Sequence, residues 1–264
     1  MINQMDITTT IGCSVACSYC PQDKTVNNYS MNSKIKKMSL STFKTCIDRI
    51  PLSVQINFSG YSEPFLNHLC IDMILYAHEQ GHIISLYTTL VGLDIGGVDK
   101  LKHVPFESVN IHLPTLKGKE NIKVDKEYEI LLMSTLNLFI NSTCVLMDWN
   151  NNESLLPNSL LDKLTIDKVP INSRSSNLDS SIFFTKERLG KLRCDRDLKS
   201  NVLLPNGDVT ICCQDFGIKH IIGNLITDNY LDLFKSIEFN LIKTGLENNN
   251  PNILCRSCEY AISI

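Results

Sequence analysis

The sequence predicts an α/β protein: an incomplete, TIM-like (β/α)6 barrel followed by a small cysteine-bearing section made of a β-hairpin and a helix. Three observations carry this prediction. Short β-branched or alternating segments alternate with longer helical patterns over about the first 170 residues, the order that builds a parallel sheet with helices outside it. Polar groups and cysteines fall just beyond the predicted strand ends, where a β/α barrel keeps its chemistry. From about residue 173 the alternation stops and cysteines return in a new pattern. The expected division is therefore residues 1–172 and residues 173–264.

Residues 6–11 read as the first strand, rich in β-branched side chains. Residues 12–37 read as a polar loop, with Pro21 stopping any regular element behind Cys20. Ser39 or Ser41 caps a helix that runs to about Arg49, with Leu40, Phe43 and Ile47 on one face, and Pro51 ends it. Residues 54–58 alternate as a second strand and run into Ser59-Gly60-Tyr61-Ser62-Glu63-Pro64. A helix over 67–80 stops at Gly81. The third strand, 83–87, ends in Thr88-Thr89, and a short helix follows over 95–103. The fourth strand, 108–113, carries His112 near its end and is closed by Pro114. A helix over 126–139, a fifth strand over 143–147, a polar loop over 148–153, a helix near 155–164 and a weaker strand over 169–171 complete the series. Beyond the polar stretch 172–177, residues 201–204 and 209–212 form a hairpin turning at Asn206-Gly207. A helix is expected over about 230–241, and Cys255-Arg-Ser-Cys258 lies near the end of the sequence.

The net charge of −3 gives no basic footprint for nucleic acid. No apolar run is long enough to cross a bilayer, and the first residues lack a basic stretch followed by an apolar one. Both point to the cytoplasm. There, eleven cysteines argue for metal or redox use rather than disulfides. Cys46, Cys70 and Cys144 sit singly inside apolar patterns and read as compact core residues. The others form two groups.

The first group is Cys13, Cys17 and Cys20, spaced C-x3-C-x2-C. Three soft thiolates can hold three irons of a 4Fe-4S cube and leave the fourth open for a ligand. A zinc knuckle needs four ligands, and no histidine lies near this array. The second group, Cys194, Cys212, Cys255 and Cys258, offers four thiolates, with Cys213 competing for one place. On spacing alone zinc is favoured there, although a fully ligated cluster fits the same donors. Elsewhere, Gly60 permits close backbone approach to a ligand, and Glu63 offers an acceptor for an ammonium group. Thr88 brings a hydroxyl to a strand end. His112 reads equally as a barrel histidine or a ligand contact. Arg174 reads as a linker residue or as a fork aimed at a substrate oxygen.

The cysteine array behind a first strand resembles the signature of the radical S-adenosylmethionine (SAM) enzymes. The resemblance implies that SAM binds the open iron through its amino and carboxylate groups, and that its cleavage yields a 5′-deoxyadenosyl radical. It places Tyr19 near the adenine. Gly60 to Glu63, with Ser62, resembles the family's Gly-Gly-Glu-Pro element at the SAM amino group, the second glycine being replaced by Tyr61-Ser62. Of a Thr-Asn-Gly type segment, only Thr88 is kept. The C-terminal order of cysteine, hairpin, Cys-Cys, Ile-Gly-Asn-Leu, helix and C-x2-C resembles the family's SPASM/twitch extension. That reverses the zinc preference and implies one auxiliary 4Fe-4S cluster on Cys194, Cys212, Cys255 and Cys258. Cys212 is taken over Cys213 because the family spacing matches it and its neighbour points to the opposite strand face.

The spacing is close to that of aminocyclitol dehydrogenases in the family. This implies hydrogen abstraction from a carbinol carbon and oxidation to a ketone, the auxiliary cluster taking the second electron. Flavodoxin or ferredoxin is the implied electron donor. No peptide-recognition segment precedes the first strand, which favours a sugar, sugar nucleotide or aminocyclitol. Peptide modification is one alternative. A redox-neutral sugar epimerase, with Cys213 or Cys144 returning hydrogen, is another. A non-enzymatic iron–sulfur or zinc module would have no need of the open array.

Overall fold

The computed structural model describes residues 3–148, 152–178 and 187–264; part of the loop expected over 148–153 lies outside them. Six parallel strands form the body: β1 (Gln4–Ile7), β2 (Gln55–Phe58), β3 (Ile84–Thr88), β4 (Ser108–His112), β5 (Ser142–Asp148) and β6 (Ile166–Pro170). Between them lie α1 (Gln22–Asn32), α2 (Leu40–Ile47), α3 (Cys70–Glu79), α4 (Ile95–Lys100), α5 (Lys126–Leu138) and α6 (Asn158–Leu161). The C-terminal section adds β7 (Leu192–Cys194), β8 (Ser200–Leu203), β9 (Asp208–Thr210), β10 (Ile221–Asn224), α7 (Tyr230–Leu233), α8 (Ile237–Glu247) and β11 (Ala261–Ser263). The barrel is not closed. Nine strands run in the order β10-β9-β8-β1-β2-β3-β4-β5-β6, and β11 pairs with β7 apart from them.

The strand alternation decides which face meets what. Met5, Ile7, Ile56, Phe58, Ile84, Leu86, Val109 and Ile111 belong to the main buried apolar core, with Phe43, Met73 and Leu132 from the helices. The alternate positions are polar, and register places Asp6, Asn57, Ser85 and Ser108 side by side on four neighbouring strands. They bond across the sheet: Asn57 Nδ2 donates to Asp6 Oδ1 at 2.8 Å, and Ser108 Oγ donates to Ser85 Oγ at 3.1 Å. Gln55 Nε2 donates to both Asn57 Oδ1 and Ser85 Oγ, at 3.0 and 2.9 Å. Buried polar groups are tolerated when paired in this way.

Two expectations are corrected. The stretch behind Cys20 contains α1, not loop alone. Pro21 precedes the first turn, where a missing N–H and fixed φ are compatible with a helix start. Thr25 and Tyr29, four residues apart, form its buried stripe. The helix expected over 230–241 is two helices, because Ser236 Oγ accepts from Phe239 N–H and starts α8 afresh. The hairpin β8–β9 turns at Gly207, φ +87°, and β8 lies parallel to β1. The two sections of the chain therefore share one sheet. Among the described residues, no helix is long and apolar enough to cross a membrane.

Candidate active site

One pocket opens at the C-terminal ends of β1 to β4. Its wall includes Cys13, Cys17, Cys20, Tyr19, Gly60, Ser62, Glu63, Thr88, His112 and Arg174, so residues separated by more than half the sequence meet in one place. The array loop is held from both sides. Ser18 N–H donates to the Gly118 carbonyl at 2.8 Å, and Cys20 N–H to the Cys17 carbonyl at 3.0 Å. Glu63 N–H points at Cys13 Sγ at 3.5 Å, and Gln22 Nε2 at Cys20 Sγ at 3.8 Å. Burial pushes all three thiols up, Cys17 to about 12. Such thiols become thiolates when a metal supplies the opposing charge. Among the described residues, no three histidine, cysteine or acidic side chains converge as ligands of one ion do. A cube takes each thiolate on a different iron, so three sulfurs spread along one pocket wall fit that group.

Gly60 takes φ +82°, and a Cβ there would run into Thr8, with Thr8 N only 3.1 Å away. Gly60→Ala is expected to lower stability by about 2 kcal/mol or more through strain and clash together, measurable by urea unfolding. The Glu63 carboxylate is a brace between strand ends. Its Oε1 accepts from Thr88 Oγ1 at 2.8 Å and Phe65 N–H at 3.3 Å, and its Oε2 from Thr89 N–H at 2.6 Å and Thr89 Oγ1 at 2.7 Å. Ser62 Oγ donates to the Thr10 carbonyl at 2.7 Å. Tyr19 bonds Cys17 and the buried Glu120, and packs toward Val145 and Met147 of β5.

Arg174 enters the pocket from the far end of the barrel. It begins a run of three non-glycine residues at positive φ, Arg174, Ser175 and Ser176, at 51°, 52° and 60°. Asn172 Oδ1 accepts from Arg174 N–H at 3.0 Å, and Leu178 N–H closes the turn on the Ser173 carbonyl at 3.0 Å. Strain of this kind collects at functional sites. The guanidinium lies 5.6 Å from the Phe216 ring, and its Nε is buried with no partner. His112 stands near it. Burial, and then the Arg174 charge, depress the imidazole to about 4, so it is neutral at ordinary pH.

The second cysteine group lies behind the hairpin. Cys194 is paired in register with Ala261, close to Cys255 and Cys258. Burial pushes Cys255 up to about 12, and Cys212 feels the Cys255 charge. Cys213 turns elsewhere, with Sγ 2.8 Å from Arg196 Nη1 and Asp6 and Arg174 nearby. Both cysteines lie past the end of β9 at Thr210, so the divergence comes from the turn rather than from a strand's two faces. Neither Cys213 nor Cys144 lines the pocket, and Cys46, Cys70 and Cys144 are core residues. Cys212→Ala is expected to lose the iron of this group and Cys213→Ala to keep it, as read by iron and sulfide content.

Tyr61 was not singled out, and it ties the two groups together. Its hydroxyl donates to the Cys212 carbonyl at 3.0 Å and lies 2.9 Å from Thr210 Oγ1. Its ring meets Phe216 at 4.8 Å. The sequence signal was the bulky residue standing where a glycine was expected. Tyr87, also on the pocket wall, continues the polar face of β3. Arg196 carries no local signal.

The family of iron–sulfur cluster-binding SPASM domains matches residues 194–259. Among solved structures, BtrN in complex with AdoMet and 2-DOIA is 16% identical, at a TM-score of 0.64 over 100% of this chain and 94% of that one. anSMEcpe with bound AdoMet is 14% identical, at 0.56 over 97% and 86%. Streptococcus suis SuiB bound to precursor peptide SuiA is 12% identical, at 0.63 over 97% and 69%. A search of curated protein sequences returns no match. The chain therefore has the radical SAM fold and carries, over residues 194–259, a domain of the SPASM iron–sulfur cluster-binding family.

Proposed function

We propose that this protein is an oxidoreductase that converts a carbinol carbon of a small polyhydroxylated substrate to a ketone. The observation that carries the reading is the second, four-cysteine group, set apart from the pocket but joined to its wall through Tyr61. Four protein thiolates leave no open iron for a substrate, so such a site suits electron transfer. Cys13, Cys17 and Cys20 would hold a SAM-binding 4Fe-4S cluster, and Cys194, Cys212, Cys255 and Cys258 an auxiliary one. When bound, these groups and SAM supply a carbon-centred radical that takes hydrogen and an acceptor for the second electron.

The chain's own residues would do the rest. Gly60 lets the chain beyond β2 pass close against Thr8, and Glu63 would hold the ends of β2 and β3 in register beneath the ligand. Arg174 would hold the substrate oxygen and stabilise it as the hydroxyl proton passes to solvent water. Neutral His112 would accept a hydrogen bond from a substrate hydroxyl. With an imidazole depressed to about 4, it is a weak base for removing that proton. Flavodoxin or ferredoxin would donate the electron.

The test is an anaerobic screen of sugars, sugar nucleotides and aminocyclitols deuterated at single carbinol carbons. The expected result is deuterium in 5′-deoxyadenosine and one ketone per SAM consumed. A second reading, peptide modification, draws support from the likeness to SuiB bound to a precursor peptide. Deuterium transfer from a peptide, with none from any alcohol, would replace the first reading by the second.

A further inference from the structure

A second cavity, of about 210 Å³, lies between α1, the loop before β10 and the turn at 251–257. Arg174 lines the active-site pocket, whereas Ser175, Ser176 and Asn177 line this cavity, so the two share one tight left-handed turn of chain. Lys24, from the first turn of α1, and Lys219 line it together. Among the described residues, neither lysine forms an ion pair. Asp215 also lies on the wall, but its carboxylate is turned to the main chain. Its two oxygens accept from Lys219 N–H at 3.0 Å and His220 N–H at 2.8 Å. It offsets the lysine charge only in part: burial, and then the charge of Lys219, hold the Lys24 ammonium below the ordinary lysine value. Hydroxyls of Ser175, Ser176 and Ser257 complete the lining. That of Ser175 is buried, meets no nitrogen or oxygen partner and has the Cys258 thiol beside it.

We infer that this cavity binds a phosphate group, and that the compound oxidised carries one: a sugar phosphate or sugar nucleotide whose carbinol carbon lies in the active-site pocket. Two like charges gathered over one polar recess favour an anion between them. Ammonium and hydroxyl groups are donors, and a phosphate offers several charged acceptor oxygens to such a set. Size points the same way. A pocket that takes a whole ligand measures roughly 300–1,000 Å³. The smaller recess suits one group of a ligand whose remainder lies elsewhere, and across the shared turn lies the pocket with Arg174. The substrate half of this inference rests on the reaction proposed above; the phosphate site does not.

The test is isothermal titration calorimetry on the reconstituted full chain at low salt, under anaerobic conditions. The probes are inorganic phosphate, glucose 1-phosphate and uridine diphosphate glucose, with glucose as the phosphate-free control. The three phosphate probes should bind far more tightly than glucose. Lys24→Ala and Lys219→Ala should each weaken all three about tenfold or more, the loss of one charge-assisted contact. Lys219→Arg, which keeps the charge, should weaken them much less. Neither lysine belongs to the apolar core, so the variants should melt with the parent by circular dichroism. Arg174→Ala separates the two sources of phosphate. It should weaken the two sugar probes and leave inorganic phosphate unchanged, because only the sugar probes reach both sites. If it leaves all three unchanged while the lysine variants lose them, the cavity holds free phosphate and the substrate half is overturned. No binding of any phosphate probe, or binding that both lysine variants leave intact, overturns the whole inference. Phosphate binding at the lysines in a chain that oxidises no alcohol overturns the proposed reaction and leaves the phosphate site standing.

Discussion

Replacing Cys13, Cys17 and Cys20 together by alanine is expected to leave about four irons and four sulfides per chain where the unaltered protein holds about eight of each. The two groups are built independently. The first lies on the loop behind β1, anchored by Gly118 and Gln22, whereas the second is tied by β7, β11 and the turn at 255–258. The fold should survive, because the array cysteines are only part-buried and the apolar core behind β1 does not include them. SAM cleavage should disappear altogether, since no other thiol group offers an open iron. The remaining cluster should still be reducible by dithionite and visible by EPR. A variant with no iron that binds zinc instead would make the C-terminal section structural. It would also remove the electron acceptor on which the proposed ketone formation depends.

Much of this arrangement is written locally in the sequence. Strand polarity alternates because one face of β1 to β4 meets helices and the other meets a polar interior, so Val54-Gln-Ile-Asn-Phe58 reveals both faces at once. Both cysteine groups are legible because ligand spacing is set by short loops. What failed was weak or long-range. The helix α1 has few apolar residues, and Pro21 reads as a stop as readily as a start. The pairing of β8 with β1 joins segments nearly 200 residues apart, and no local pattern encodes a partner at that distance. The same holds for the tie from Tyr61 to Cys212 and for Arg196 beside Cys213. Arg174 was visible as a candidate, but its left-handed turn was not, because Arg-Ser-Ser carries no glycine to announce positive φ.

Arg174→Ala is expected to lower the proposed ketone formation by about 10²–10³-fold, the loss typical of removing one oxyanion-stabilising donor. SAM cleavage without oxidation should continue, because the thiols, Gly60 and Glu63 are untouched. The pocket offers an independent readout in His112. The Arg174 charge helps to hold that imidazole at about 4, so its removal should raise the pKa toward the ordinary histidine value, with burial still keeping it below. Arg174→Lys separates charge from geometry: His112 should stay low, while ketone formation still drops because a lysine lacks the planar fork. NMR titration of His112 in the cluster-free proteins, beside product ratios in the loaded ones, gives both measurements. An alanine variant that oxidises as fast as the unaltered protein would remove Arg174 from the chemistry. One that loses oxidation while His112 stays at about 4 would mean that the guanidinium lies too far from the imidazole to share a substrate with it.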